Sequence, residues 1–121
     1  MTLTQLSITP IPLPTPSPTF LPLPTTLLPL LTQRTKALIL VSPNNPTGAI
    51  YPPALLEEFA DICRERGIAL VLDETYREFG NGERGGHGLF RRGDWRDYLI
   101  HIFSFSKYVF LPFPLHPTNA Q

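Results

Sequence analysis

The chain has 121 residues, enough for one small domain. Lysine plus arginine and aspartate plus glutamate balance at 10 each, which excludes a polybasic nucleic-acid arm or an acidic tail as its theme. The single cysteine, Cys63, excludes an intrachain disulfide and a cysteine zinc cluster, and it fits a reducing, cytoplasmic setting.

Proline and charge divide the sequence. Residues 1–33 carry eight of the 15 prolines and no charged side chain. All 20 formal charges fall between Arg34 and Lys107, and residues 108–121 again hold three prolines and no charge. The expected organisation is a proline-rich, disordered arm over 1–33, an ordinary globular segment over 34–107 and an irregular tail over 108–121. From Ile8 to Pro18 every second residue is proline. Each proline fixes φ and removes an N–H, so polyproline II is expected and neither a helix nor a central strand. At about 3 kcal/mol per interior proline, a membrane-spanning helix is excluded there. A secretory signal is not expected either, because no basic residue precedes an uninterrupted apolar run. The arm reads as a disordered flank or as a ligand for an aromatic-lined groove. No basic residue before Arg34 is present to orient such a ligand, which favours the flank.

The globular segment opens with Lys36-Ala37-Leu38-Ile39-Leu40-Val41-Ser42, a continuous branched run suited to a parallel strand buried on both faces. It stops at the turn cluster Pro43-Asn44-Asn45-Pro46-Thr47-Gly48. Pro52 and Pro53 suit a helix entry. Leu55, Leu56, Phe59, Ile62 and Cys63 then form one apolar stripe, with acids early, arginines late and Gly67 as the C-terminal cap. Ile68-Ala69-Leu70-Val71-Leu72 reads as a second strand ending at Asp73. The strand–helix–strand unit implies a right-handed crossover between parallel strands. From Arg77 to Asp97 a long glycine-rich loop or short helices are expected. Tyr98-Leu99-Ile100-His101-Ile102-Phe103-Ser104 reads as a third strand leading to Lys107. The fold class is therefore α/β, a partial parallel sheet with irregular flanks.

In open parallel sheets, ligands bind beyond the carboxyl ends of the strands. Here those ends carry an amide (Asn45), a carboxylate (Asp73), and hydroxyls with an amine (Ser104, Ser106, Lys107). A lysine can condense with a carbonyl, and pyridoxal phosphate chemistry needs such a lysine together with a carboxylate for the pyridine nitrogen.

Asn45-Pro46-Thr47-Gly48, Asp73-Glu74-Thr75-Tyr76 and Ser104-Phe105-Ser106-Lys107 together resemble the three signatures of class I/II aminotransferases, pyridoxal-phosphate enzymes of fold type I. The resemblance covers residues 34–107, a minor part of a complete member. It implies that Lys107 forms the Schiff base and moves the substrate proton. By the same resemblance Asp73 pairs with the pyridine nitrogen, Asn45 and Tyr76 bond the phenolic oxygen, and Ser104, with Ser106 assisting, contacts the phosphate. It implies amino-group transfer between an amino acid and a 2-oxo acid, with lyase or decarboxylase outcomes open on the same fold. It also implies a homodimer, although the dimer-forming elements lie mostly outside this chain. The family's ring-stacking aromatic and phosphate-cradling helix start are not recognisable before Arg34. No arginine or glycine follows Lys107. The central piece is thus expected to be an exon-like fragment between divergent flanks.

Plainer readings stand beside these. Asp73 can cap the next turn, Lys107 can be a surface lysine, and Asn44 suits a structural turn role. His87 and His101 read as a loop and a strand residue without the spacing of a metal site or triad, and no metal is expected. The alternative function is a catalytically inactive fragment that acts, if at all, as a binding partner through its apolar sheet or its proline-rich arm.

Overall fold

The computed structural model describes residues 6–79 and 87–107. Its elements run in the order α1 (Pro24–Leu27), β1 (Ala37–Val41), α2 (Pro53–Arg66), β2 (Ala69–Asp73) and β3 (Leu99–Ile102), with short 3-10 turns between them. The strands form one three-stranded sheet in the order β1-β2-β3, parallel at both junctions. The strand–helix–strand unit and the third strand therefore stand where the apolar runs put them.

Part of the arm lies against the core. Pro22 and Leu27 are buried, and Leu13, Leu21 and Leu31 pack against the core. The reason is local. Thr25-Thr26-Leu27-Leu28 is free of proline, and Pro24 opens α1, where its missing N–H costs nothing. A 3-10 turn over Leu28–Leu30 continues it. The tail expected to be irregular, 108–121, lies outside the described residues, as does much of the glycine-rich loop.

Helix α2 covers one face of the sheet. It buries Leu56, Phe59, Ala60 and Cys63, while Leu55 and Ile62 sit at the margin of the stripe. Gly67 ends it at φ 63°, a left-handed conformation open to glycine at little cost. Arg64 and Arg66 occupy the last turn as the helix dipole favours, but the first turn holds no acid. Glu57 and Glu58 lie one turn too far in to act on the N-terminus.

Against this helix pack Leu38 and Leu40 of β1, Leu70 and Leu72 of β2 and Leu99 of β3. Strand residues alternate between faces, and the register pairs Ile39 with Val71 and Val71 with Ile100 on the other face. That face is open: Ile39 is 54%, Ile100 53% and Ile102 42% exposed. The expectation of strands buried on both faces is met on one face only. Continuous apolar runs are the mark of doubly covered sheets, and among the described residues a single long helix lies against this one.

The stretch from 87 to 97 folds as 3-10 turns over Leu89–Arg91 and Trp95–Asp97. Leu89 is fully buried, and the Gly88 N–H donates to Glu57 Oε1 at 3.0 Å. Arg92 Nη1 meets Asp61 Oδ1 at 2.6 Å. These contacts fasten the stretch to α2.

Candidate functional site

All three strands run the same way, so the residues after Val41, Asp73 and Ile102 gather at one edge, the carboxyl rim. The turn after β1 is built by Asn44. Its side-chain oxygen accepts from Thr47 Oγ1 at 2.8 Å, its carbonyl accepts from the Gly48 N–H at 2.7 Å, and Gly48 sits at φ 74°. Asn44 is thereby occupied within the turn. Asn45 instead reaches across to the turn after β2, where its Nδ2 donates to Tyr76 Oη at 3.4 Å.

Asp73 ends β2 half-buried. Its Oδ1 accepts from the Thr75 N–H at 2.9 Å and from Thr75 Oγ1 at 2.6 Å, a local turn that holds the carboxylate in one orientation. Among the described residues these bonds engage Oδ1. Alternation puts Asp73 on the open face of the sheet and Glu74 on the covered one.

After β3 the chain turns through a 3-10 segment at Phe105–Lys107. Ser104 Oγ and Ser106 Oγ lie 2.8 Å apart. Lys107 Nζ stands 5.9 Å from the centroid of the Tyr76 ring, within cation–π range. Amine, phenol and amide therefore form a chain across the three strand ends. The Ser104/Ser106 pair joins from the β3 side, and Asp73 begins the turn that carries Tyr76. The rim is an open surface, with Asn45, Ser106 and Lys107 exposed.

Below the rim, on the covered side, lies a cluster that the sequence reading did not single out. Glu74 is 6% exposed. Its Oε2 is 2.9 Å from His101 Nε2, 3.5 Å from His87 Nε2 and 3.5 Å from Arg77 Nη1. Burial alone pushes its pKa up. The proximity of His87, with the charges of Arg77 and His101, outweighs burial and holds the carboxyl below the ordinary 4.5. The register pairs His101 with Leu72, which puts His101 on the face that Glu74 shares, and no local spacing in the sequence marks that pairing.

Among the described residues no group of three or more His, Cys, Asp or Glu side chains is arranged to hold a metal, and no helix is long and apolar enough to cross a membrane.

The fold is an open parallel α/β sheet with an amide, an acid, hydroxyls and an amine along its carboxyl rim, the edge beyond which such sheets take their ligands. The chain belongs to the family of class I and II aminotransferases, whose model matches residues 3–112. Pyridoxal phosphate dependence is general in that family. The chain is 49% identical over 57 residues to the aspartate/prephenate aminotransferase of Thermus thermophilus, covering 47% of this chain and 15% of that protein. It is 36% identical over 75 residues to the aspartate aminotransferase of Sulfurisphaera tokodaii, covering 62% of this chain and 18% of that one. Among solved structures, the alanine aminotransferase of Pyrococcus furiosus aligns at TM-score 0.59 and 31% identity, covering 73% of this chain and 22% of that chain. An Escherichia coli protein with a methionine aminotransferase function aligns at TM-score 0.66 and 25% identity over 78% of this chain and 25% of its own. The chain thus spans less than a fifth of the length of these two curated relatives.

Proposed function

We propose that this chain carries the cofactor-lysine rim of a pyridoxal-phosphate-dependent aminotransferase, and that the parent reaction moves an amino group between an amino acid and a 2-oxo acid. The observation that carries this reading is the reach of Lys107 from the third strand to within 5.9 Å of the Tyr76 ring, whose hydroxyl is bonded by Asn45 from the first.

The donor set fits the cofactor. Asp73 is a half-buried acid suited to a protonated pyridine nitrogen, with Thr75 fixing its orientation. Asn45 and Tyr76 supply neighbouring donors for a phenolic oxygen, and the Ser104 and Ser106 hydroxyls suit a phosphate. Lys107 is the catalytic residue in this reading: its amine would hold the cofactor through its aldehyde carbon and, once an incoming substrate amine had displaced it, would be free to act as the base for the substrate proton. Pyridoxal phosphate, when bound, supplies an electron sink for the substrate α-carbon. Asp73 would sustain that sink by favouring a protonated ring nitrogen. Association of two copies belongs to the same reading.

A second reading, a catalytically inactive piece that binds a partner, draws on the exposed Ile39, Ile100 and Ile102. Incubation with pyridoxal phosphate, borohydride reduction and peptide mass spectrometry separate the two. The first reading expects a reduced adduct on Lys107 that Lys107→Ala abolishes and Lys36→Ala leaves intact. No adduct, or one shared equally with Lys36, favours the second.

A further inference from the structure

Glu74 is a buried carboxylate at a sheet end where a leucine would fill the same space without losing water. Replacing buried ion pairs with apolar residues is often neutral or stabilising, so the gain from such a group is better sought in geometry than in stability. Its place in the chain is specific. It directly follows Asp73, its own N–H donates to the Ile102 carbonyl at 2.9 Å, and its carboxylate meets His101 Nε2, on the same β3, at 2.9 Å. One residue thus grips β3 by backbone and side chain, at the last paired rung before Ser104.

The grip is reinforced from outside the sheet. His87, almost fully buried, brings its Nε2 to 3.5 Å from the same carboxylate oxygen, and its Nδ1 accepts the Leu89 N–H at 3.3 Å. Phe90 packs against both imidazoles, with ring centroids 5.3 Å from His87 and 5.1 Å from His101. Arg77 faces the carboxylate from the turn after β2. Glu57 of α2 holds the Gly88 N–H beside His87. Three separate stretches therefore converge on Glu74, while Asp73 next to it faces the other side of the sheet.

We propose that Glu74, through His101 and His87, is a positioning residue that fixes the β2 end bearing Asp73 against the β3 end bearing Lys107. It touches neither the cofactor nor the reacting atoms. This inference rests on the reading of Lys107 as the cofactor lysine.

The test compares borohydride-trapped adduct formation on Lys107 in the full chain with that in Glu74→Gln, His101→Leu and His101→Gln, each shown folded by far-ultraviolet circular dichroism. Glutamine at 101 keeps an N–H donor for Glu74, and leucine removes it. The expected result is a maximal trapping rate about tenfold lower in Glu74→Gln and His101→Leu, the scale of losing a hydrogen bond to a buried charge. In His101→Gln the rate is expected to stay within about twofold of the parent, because a donor remains. Equal rates in the parent and both impaired variants overturn the positioning role and leave the lysine reading standing. Failure of His101→Gln to recover the rate also overturns it. No adduct in the parent chain sinks the lysine reading and this inference with it. Should Glu74→Gln not fold, the leucine and glutamine pair at 101 decides alone.

Discussion

Asn45 and Tyr76, 31 positions apart in the chain, are joined at the rim by an amide-to-phenol hydrogen bond of 3.4 Å. The bond ties the turn after β1 to the turn after β2, and the Tyr76 ring in turn lies under Lys107. The phenol thus links the lysine to the amide in two ways, through its face and through its hydroxyl.

Those two contributions are separable. Tyr76→Phe keeps the ring beneath Lys107 and removes the hydroxyl; Tyr76→Ala removes both. An exposed cation–π contact contributes about 0.5–1 kcal/mol. Tyr76→Phe is expected to slow adduct formation on Lys107 only a few-fold, and Tyr76→Ala to slow it further. A double-mutant cycle with Asn45→Ala checks the hydroxyl: coupling seen with the tyrosine should vanish in the phenylalanine background.

The carboxyl of Glu74 should show in the acid stability of the fold. The neighbours of Glu74 hold its folded pKa below 4.5, so its stabilising contribution is present above the unfolded value and is lost as pH falls through the folded one. Thermal melting from neutral to acid pH should show stability falling just below the ordinary carboxylate range. Glu74→Gln should flatten that fall. A fall of equal steepness in Glu74→Gln would assign the acid sensitivity to other carboxylates.

How much of this was legible in the sequence depended on the range of the interaction. The βαβ unit was readable because apolar runs, the Leu55–Cys63 stripe and Gly67 are local signals, and each strand was found within about two residues. The rim followed from topology: once the strands are parallel, Asn45, Asp73 and Lys107 share an edge. Asn44 as the turn-builder was also readable, since asparagine suits that local bonding. The Glu74 cluster was not, because it needs the β2–β3 register and a histidine from a distant loop. The packing of Leu27 was hidden by proline content, which describes backbone restriction and is silent on which leucines find a core. The open sheet face was masked because an apolar run reads the same whether one face or both are covered.

That open face has a consequence in solution. Ile39, Val71 and Ile100 form an in-register apolar row, with two of the three more than half exposed. Contiguous exposed apolar surface drives association. Replacing Ile39 and Ile100 with threonine, which retains β-branching, is expected to lower light scattering of the concentrated chain without lowering its melting temperature. A lower melting temperature would mean that the two isoleucines are covered in solution, as in an assembly of copies.

Opposite that face, Cys63 offers a probe of the core. It sits on the buried stripe of α2 at 0% exposure, and burial pushes its thiol up to about 12. A thiol reacts as its thiolate, so the folded chain at mildly alkaline pH should resist a thiol-alkylating reagent, and the chain in denaturant should react at the rate of an ordinary cysteine. Labelling then reports opening of the helix–sheet core. Phe59→Ala removes a fully buried ring from the same stripe and should cost about 3–5 kcal/mol. For a core this small, that loss is comparable to the roughly 3–5 kcal/mol such a core supplies. The variant should therefore label nearly as fast without denaturant as the parent does in it. Protection of Cys63 that survives Phe59→Ala would show that the helix does not depend on that ring to stay docked on the sheet.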